Sequence, residues 1–551
     1  MNLRQAAIAT AVAGMLAGSA VAQTAPTPGA VLQQTTSAPE APVAPSSQIV
    51  LPGPSETEKT GSTFPIPVRK LEISGNSLID TDALHALVAA DEGRTLTLDQ
   101  LFEVVARITA AYRAAGYPVA YAYLPAQIVE NGVIRIEVIE PVYDQIQVTG
   151  TSRFKAEQAR ATVGVASGEP VAEEPLHRGL LLLQETPGVI VNGVLLPGAT
   201  PGTTSLRLER SDQPLLSGQA TLDNYGNTYT GQVMANTAVT LANPFGWGSA
   251  FSLNTTLSQG GGLKALAFNA SSPDLGNGLR LGAYASTTRY KLGGAFAALD
   301  QVGWARQLGA QLSYPVVLSP GKRLTLRLDL VDTKMGQNTR STGAEERQHV
   351  QLMRLEMSGA RIGDNGAVTS GRIALNFGKL TLGPAAARAA DAAGPRAAGS
   401  FATLRFQLDH SRPIAEGVAL NLGISGQLAN KNLDSSQKFY LGGPNGLMST
   451  AVGAGGGDNG VLVKVGLSRT LTTNLPGQLT LSGQLQWGAV RVDHTSYAGG
   501  ATPNTLSGSA AVLGLRYQKD RWFINAAAAA PISDRGLQSA GRLWLSAGVT
   551  F

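Results

Sequence analysis

Residues Leu324 to Asp332 read LTLRLDLVD, with Leu324, Leu326, Leu328 and Leu330 on one side of an extended chain and Thr325, Arg327 and Asp329 on the other. That period of two marks a strand with one apolar and one polar face. FATLRFQLD repeats it, Leu404, Phe406 and Leu408 opposing Arg405, Gln407 and Asp409. Helical periodicity is missing from Pro214 onward, and short alternating strands recur to the C-terminus. A soluble sandwich with its apolar face inward and a membrane barrel with that face outward both fit such a pattern. Charges recurring on the polar face, the aromatic last strand LWLSAGVTF and an export signal favour the barrel, the β solution that pairs its backbone in lipid. The segment 210–551 has room for roughly sixteen antiparallel strands.

The export signal is MNLRQAAIATAVAGMLAGSAVAQ, in which Arg4 precedes an apolar run and Ala20-Val21-Ala22 forms a cleavage site, so 1–22 reads as a signal peptide. No later stretch has the roughly 18 consecutive apolar residues of a spanning helix. The chain has no cysteine, which excludes disulfides, thiolate metal sites and cysteine nucleophiles. Residues 23–65 are rich in Pro, Ser and Thr and read as a linker, the one candidate element being a short helix at Pro28 to Thr35.

Between linker and barrel the same order, β-α-α-β-β, occurs twice, over 66–142 and 143–209. In the first copy Leu98, Leu101, Phe102, Val105, Ile108, Thr109 and Tyr112 recur at helical spacing behind a Thr97–Gln100 capping box. No nucleophile, base and orienter cluster in either copy, so an interaction module that accepts an added strand is expected rather than an enzyme. The five histidines (His85, His177, His349, His410, His494) lack metal-ligand spacing, and no metal or cofactor is expected. Residues 210–551 hold 30 basic and 18 acidic residues, a net of +12, while both repeats are mildly acidic. For an exported chain this basicity suits a cation-rich channel or an anionic membrane surface, not nucleic acid.

One stretch fits neither period: FYLGGPNGLMSTAVGAGGGDNG, Phe439 to Gly460. A loop of that length inside a compact domain is usually functional or disordered, and its glycines allow a tight fold in a confined space.

From residue 66 onward the chain resembles the outer-membrane transporters of two-partner secretion, the hemolysin secretion and activation family. Tyr112, Gly116, Tyr117, Pro125 and Gln127 stand where that family's first POTRA domain has its motif, and Pro187 and Gly188 where its second does. Asp223, Asn224, Tyr225, Gly226 and Gly231 match its first-strand signature. Leu441, Gly442, Gly443, Pro444, Asn445, Gly446 and Asp458 match the loop that folds back into its lumen. The resemblance implies two periplasmic POTRA domains, a barrel in the outer membrane among lipids and lipopolysaccharide, and a monomer. It also implies ATP-independent export of a large, β-helical adhesin or cytolysin; an outer-membrane assembly factor and a passive porin are the alternatives. The sequence departs from the family twice, with Met448 in place of the loop's arginine and Gln486, before Trp487 and Gly488, in place of the wall's aspartate. Met448 is expected to pack against apolar wall atoms opposite Gln486 and Gly488. Pro28 to Thr35, short and uncharged, argues against the family's plug helix.

Overall fold

The computed structural model describes residues 26–35 and 64–551; the signal-peptide reading of 1–22 lies outside the described residues. In the first repeat the expected opening strand divides. Ile66–Val68 pairs with a short strand, Arg94–Leu96, whereas Lys70–Ser74 runs parallel to Val133–Glu137. The amides of Arg69 and Lys70 both donate to Gly132 O, at 2.7 and 3.2 Å, and that shared acceptor breaks the ladder. Helix Leu98–Ala114 starts on the Thr97–Gln100 capping box and buries Leu101, Val104, Val105, Ile108 and Tyr112 against Leu71, Ile134 and Ile136 of the sheet. The second repeat sets Val142–Thr149 and Val189–Pro197 on either side of Thr203–Asp212, with helices Ala156–Val163 and Glu173–Gln184 on one face. Those helices cross so closely that a Cβ on Gly179 would lie 2.7 Å from the Val163 carbonyl carbon.

Sixteen antiparallel strands then close into a barrel. The first four are short: β1 (Leu216–Asp223), β2 (Met234–Ala242), β3 (Ala250–Ser258) and β4 (Leu263–Ser271). The wall then rises through β5 (Arg280–Lys291), β6 (Gln301–Ser319), β7 (Lys322–Thr339), β8 (Ala344–Ile362), β9 (Val368–Leu382) and β10 (Gly399–Ala415). It ends with β11 (Val418–Ala429), β12 (Asn459–Leu471), β13 (Gln478–Arg491), β14 (Thr505–Lys519), β15 (Trp522–Arg535) and β16 (Arg542–Thr550).

Alternation decides which face meets lipid. Leu253, Leu266, Phe268, Leu308, Leu330, Phe377 and Leu513 point outward and are exposed, a surface that lipid covers in a membrane. Arg327 points inward and pairs with Asp329 (3.1 Å) and Glu356 (3.4 Å). The lumen is therefore mixed in charge rather than uniformly cationic.

The second repeat is seated on turns at one end of the barrel. Leu181 and Leu182 pack on Leu318, Arg178 donates to Asn277 Oδ1 (2.7 Å) and Pro315 O (2.8 Å), and Glu185 pairs with Arg323 at 2.7 Å. Burial raises the Glu185 carboxyl above the ordinary range, against the pull of Arg323 and Arg280.

Candidate functional site

Three pieces meet inside the barrel: the infolded loop, the N-terminal helix and the seam between first and last strands. The loop leaves β11, pairs Phe439–Tyr440 with Gly456–Gly457 as a small hairpin, and turns back along the wall. At its tip Leu441 and Leu447 are fully buried in a cluster with Leu462, Val490, Ala510 and Leu537. Gly488 makes room for them, since a Cβ there would lie 2.6 Å from Leu441 Cδ2. Gly442 and Gly446 have no space for a side chain against the loop's own carbonyls, Ala451 O and Leu441 O. Asn445 O accepts from Lys464 Nζ at 2.8 Å.

Met448 and Gln486 meet, but through the main chain. The Met448 amide donates to Gln486 Oε1 at 2.9 Å and the Met448 carbonyl accepts from Trp544 Nε1 at 2.8 Å, while the Met448 side chain is only half-buried. Leu447, not Met448, is the apolar anchor. An amide needs an acceptor and a neutral carboxamide supplies it, so the site holds no charge that requires an arginine. Gln486 is 2 % exposed, and its Nε2 donates to Gln484 Oε1 at 2.6 Å.

At the loop's base the chemistry is ionic. Lys438 Nζ lies 2.9 Å from Asp458 Oδ1 and 3.6 Å from Asp493 Oδ1, and also donates to Val492 O at 2.6 Å. Asp458, with no exposed surface, further accepts the amides of Leu433 (3.1 Å) and His494 (2.8 Å). Gln427, equally buried, donates to the carbonyls of Gln437 and Asp458 at 2.9 and 3.0 Å, and Arg405 donates to Gln427 Oε1 at 2.6 Å. Sequence reasoning included Asp458 and missed Lys438. The signal was a lysine directly before the glycine-rich stretch and a single aspartate within it.

The helix at Pro28–Thr35, α1, lies in the lumen, contrary to the argument from its shortness and neutrality. Val31 packs among Met234, Leu263, Tyr290 and Leu292, and Leu32 joins Val331, Met335 and Val350. Gln33 Nε2 donates to Ser436 O (2.8 Å) and Lys438 O (3.1 Å), which ties α1 to the base of the loop. An uncharged helix suits these apolar lumen patches, where a buried unpaired charge would be costly.

At the seam β16 pairs with β1 over five residues, Ser546–Thr550 against Gln219–Asp223, whereas β7 and β8 pair over their full length. Asn224 lengthens the seam with side-chain bonds to the main chain of Leu543 and Leu545, both at 2.8 Å. Asp223 accepts the Tyr225 amide (2.9 Å) and Asn236 Nδ2 (2.8 Å), and the Tyr225 ring meets Trp544 edge-on at 5.9 Å. The first-strand residues and the loop tip are thereby joined through Trp544. Gly226 and Gly231 form the tight turn beside them, Gly231 at φ +108.

The motif residues of the two repeats lie apart from this assembly and hold their own domains. Tyr112 Oη donates to Glu140 Oε1 at 2.6 Å, and Tyr117 packs on Tyr112 with ring centroids 6.3 Å apart. Burial alone would raise the Glu140 carboxyl, but hydrogen bonds from Ser77, Tyr112 and the Leu78 amide outweigh it and hold it below the usual range. Gly116, at φ +87, accepts the Glu173 amide of the second repeat at 2.8 Å. Gln127, two residues after Pro125, exchanges two hydrogen bonds with the Arg135 backbone, 2.8 and 2.9 Å, as a strand neighbour would. Pro187 and Gly188 form the turn before Val189, where a Cβ on Gly188 would lie 2.9 Å from Ala242 O of the barrel.

Residues 66–141 match the POTRA domain, ShlB-type, and residues 202–517 match the haemolysin secretion/activation protein ShlB/FhaC/HecB. The heme/hemopexin transporter protein HuxB of Haemophilus influenzae is 26 % identical over 410 residues, 74 % of this chain and 72 % of that protein. The outer membrane transporter CdiB of Dickeya dadantii is 25 % identical over 179 residues, 32 % of each chain. The solved structure of CdiB from Escherichia coli superposes with a TM-score of 0.73 at 17 % identity, covering 91 % of this chain and 93 % of that one.

Proposed function

Since the chain belongs to the haemolysin secretion/activation protein family, the outer-membrane transporters of two-partner secretion, we propose that it carries one large exoprotein from periplasm to cell surface by releasing the helix and loop that fill its lumen. The observation that carries this reading is the pairing of an occupied lumen with a link, Gln33 to Ser436 and Lys438, through which both occupants can move together. The barrel lies in the outer membrane with its POTRA domains in the periplasm, where an extended cargo segment first arrives.

Capture by strand addition is supported by the edge strand Tyr121–Tyr123 and by the neighbouring Ile128, which is 87 % exposed. Beside it a groove of about 740 Å³ runs between Phe64, Ile66, Arg69 and Val129, apolar enough to hold a cargo side chain. Removing residues 66–209 should abolish export while the barrel still inserts, as judged by heat-modifiable migration. Export that continues at the parental rate in that deletion rules out capture by these domains.

A further inference from the structure

Part of the basic excess of the barrel lies on its outside. Lys264 on β4 is the direct cross-strand partner of Arg289 on β5, and Arg306 on β6 of Lys334 on β7; all four face outward and are exposed. Lys379 on β9 faces outward beside them, opposite Gln351 of β8. Like charges directly opposed across a ladder destabilise it, and two such pairs stand next to each other here. Among the described residues none of these five cations has an ion pair or a side-chain hydrogen bond to an acid; Arg306 lies 5.4 Å over the ring of Trp304. An outward acid two residues from Lys334, Asp332, is engaged by His349 at 2.5 Å and also lines the groove below.

The height of this patch is informative. Every member lies at the end of its strand away from the POTRA domains, and one or two outward positions further down each strand the face turns apolar, at Leu266, Leu308, Leu330 and Phe377. Trp304 stands at the same boundary, as aromatic girdles do. Directly below is a groove of about 1000 Å³ between Leu308, Leu330, Met353 and Phe377, floored by the small residues Ala310 and Ala402, with Lys379 and Asn430 also lining it.

We propose that this face binds a phosphorylated glycolipid of the outer leaflet, lipid A in chemistry, with an acyl chain in the groove and its phosphates between the opposed cations. A phosphate between Arg306 and Lys334 converts a repulsive pair into two charge-assisted hydrogen bonds, and the apolar groove beneath fits a ligand that carries its chain next to its charge.

The test uses the purified full-length chain in detergent micelles, with diphosphoryl lipid A, dephosphorylated lipid A, phosphatidylglycerol and inorganic pyrophosphate as probes. Diphosphoryl lipid A should bind and raise the melting temperature, and Arg306→Gln with Lys334→Gln should weaken that binding about tenfold. Without lipid the double variant should melt no lower than the parent, because a repulsion has been removed. Ala310→Trp, filling the groove and leaving the charges in place, should also weaken lipid A binding, and it keeps the test decisive if the charge variant fails to fold. Equal lipid A binding by parent and both variants overturns the proposal. Equal binding of the dephosphorylated form, of phosphatidylglycerol or of pyrophosphate overturns it too, since each would remove the need for either the phosphates or this groove.

Discussion

The two ends of the infolded loop are fastened by opposite chemistry. At the base, Lys438 and Asp458 form a buried ion pair reinforced by backbone donors; at the tip, Gln486 and Trp544 grip the Met448 main chain without any charge. The contrast shows that a loop can lack an arginine–aspartate lock at its tip and still be fixed, because a neutral carboxamide satisfies an amide as well as a carboxylate satisfies a guanidinium. A charged base is costly to break and a neutral tip is cheap, which suits a loop that must loosen at one end.

The base should therefore give the largest effect. Lys438→Met leaves Asp458 buried and unpaired, a loss of about 3 to 5 kcal/mol for a pair of this kind. The folded barrel should unfold at a clearly lower temperature in heat-modifiability gels, and Asp458→Asn in the same chain should restore part of the loss. If Lys438→Met melts like the parent, the ion pair does not hold the base.

Gln486→Leu removes the acceptor of the Met448 amide, with an expected cost of about 1 to 3 kcal/mol by the same assay. Smaller still is the coupling between Met448→Arg and Gln486→Asp. Each alone should lower export or heat resistance and the double change should recover about 1 kcal/mol, because Met448, unlike the buried Gln486, keeps part of its side chain exposed. Strict additivity in that cycle would separate the two side chains in space.

The smallest effect lies outside the membrane, where Glu140 provides the charged counterpart of the base. Its folded-state carboxyl is held below the ordinary value of 4.5, so its stabilisation is complete above that value and is lost as pH falls through the lowered one. Protease protection of residues 66–142 should decline over that acid range in the parent and less steeply in Glu140→Gln. Parallel curves would show that the hydrogen bonds to Ser77 and Tyr112 contribute no pH dependence.

How much of this was legible in the sequence differs by element. Alternation at Leu324–Leu330 and Leu404–Leu408 revealed the strands, because lipid on one side and lumen on the other impose a strict period of two. The capping box at Thr97 was equally plain, being a local contact. The loop's glycines marked where it had to be thin, yet Leu447 was hidden, since its partner Leu537 comes only after the chain has crossed the barrel several more times, while Lys438 was missed although its partner Asp458 closes the same loop. Neutrality of α1 was misread for a related reason. A helix chosen to lie against Met234, Leu263 and Val331 is selected for being uncharged, and those residues belong to strands far along the chain. The charge total was legible but not its distribution: the side a residue faces is set by its register, so Arg327 and Arg405 fall inward while Lys264, Arg289, Arg306, Lys334 and Lys379 fall outward.

The central claim is that the helix and the loop must move together for cargo to pass. Because the chain has no cysteine, Gln33→Cys and Ser436→Cys can be bridged by a short thiol crosslinker without side reactions. The account predicts that the exoprotein is still exported when the bridge forms, because helix and loop then leave the lumen as one body; export that stops in the bridged protein would show that the two must separate and would contradict it.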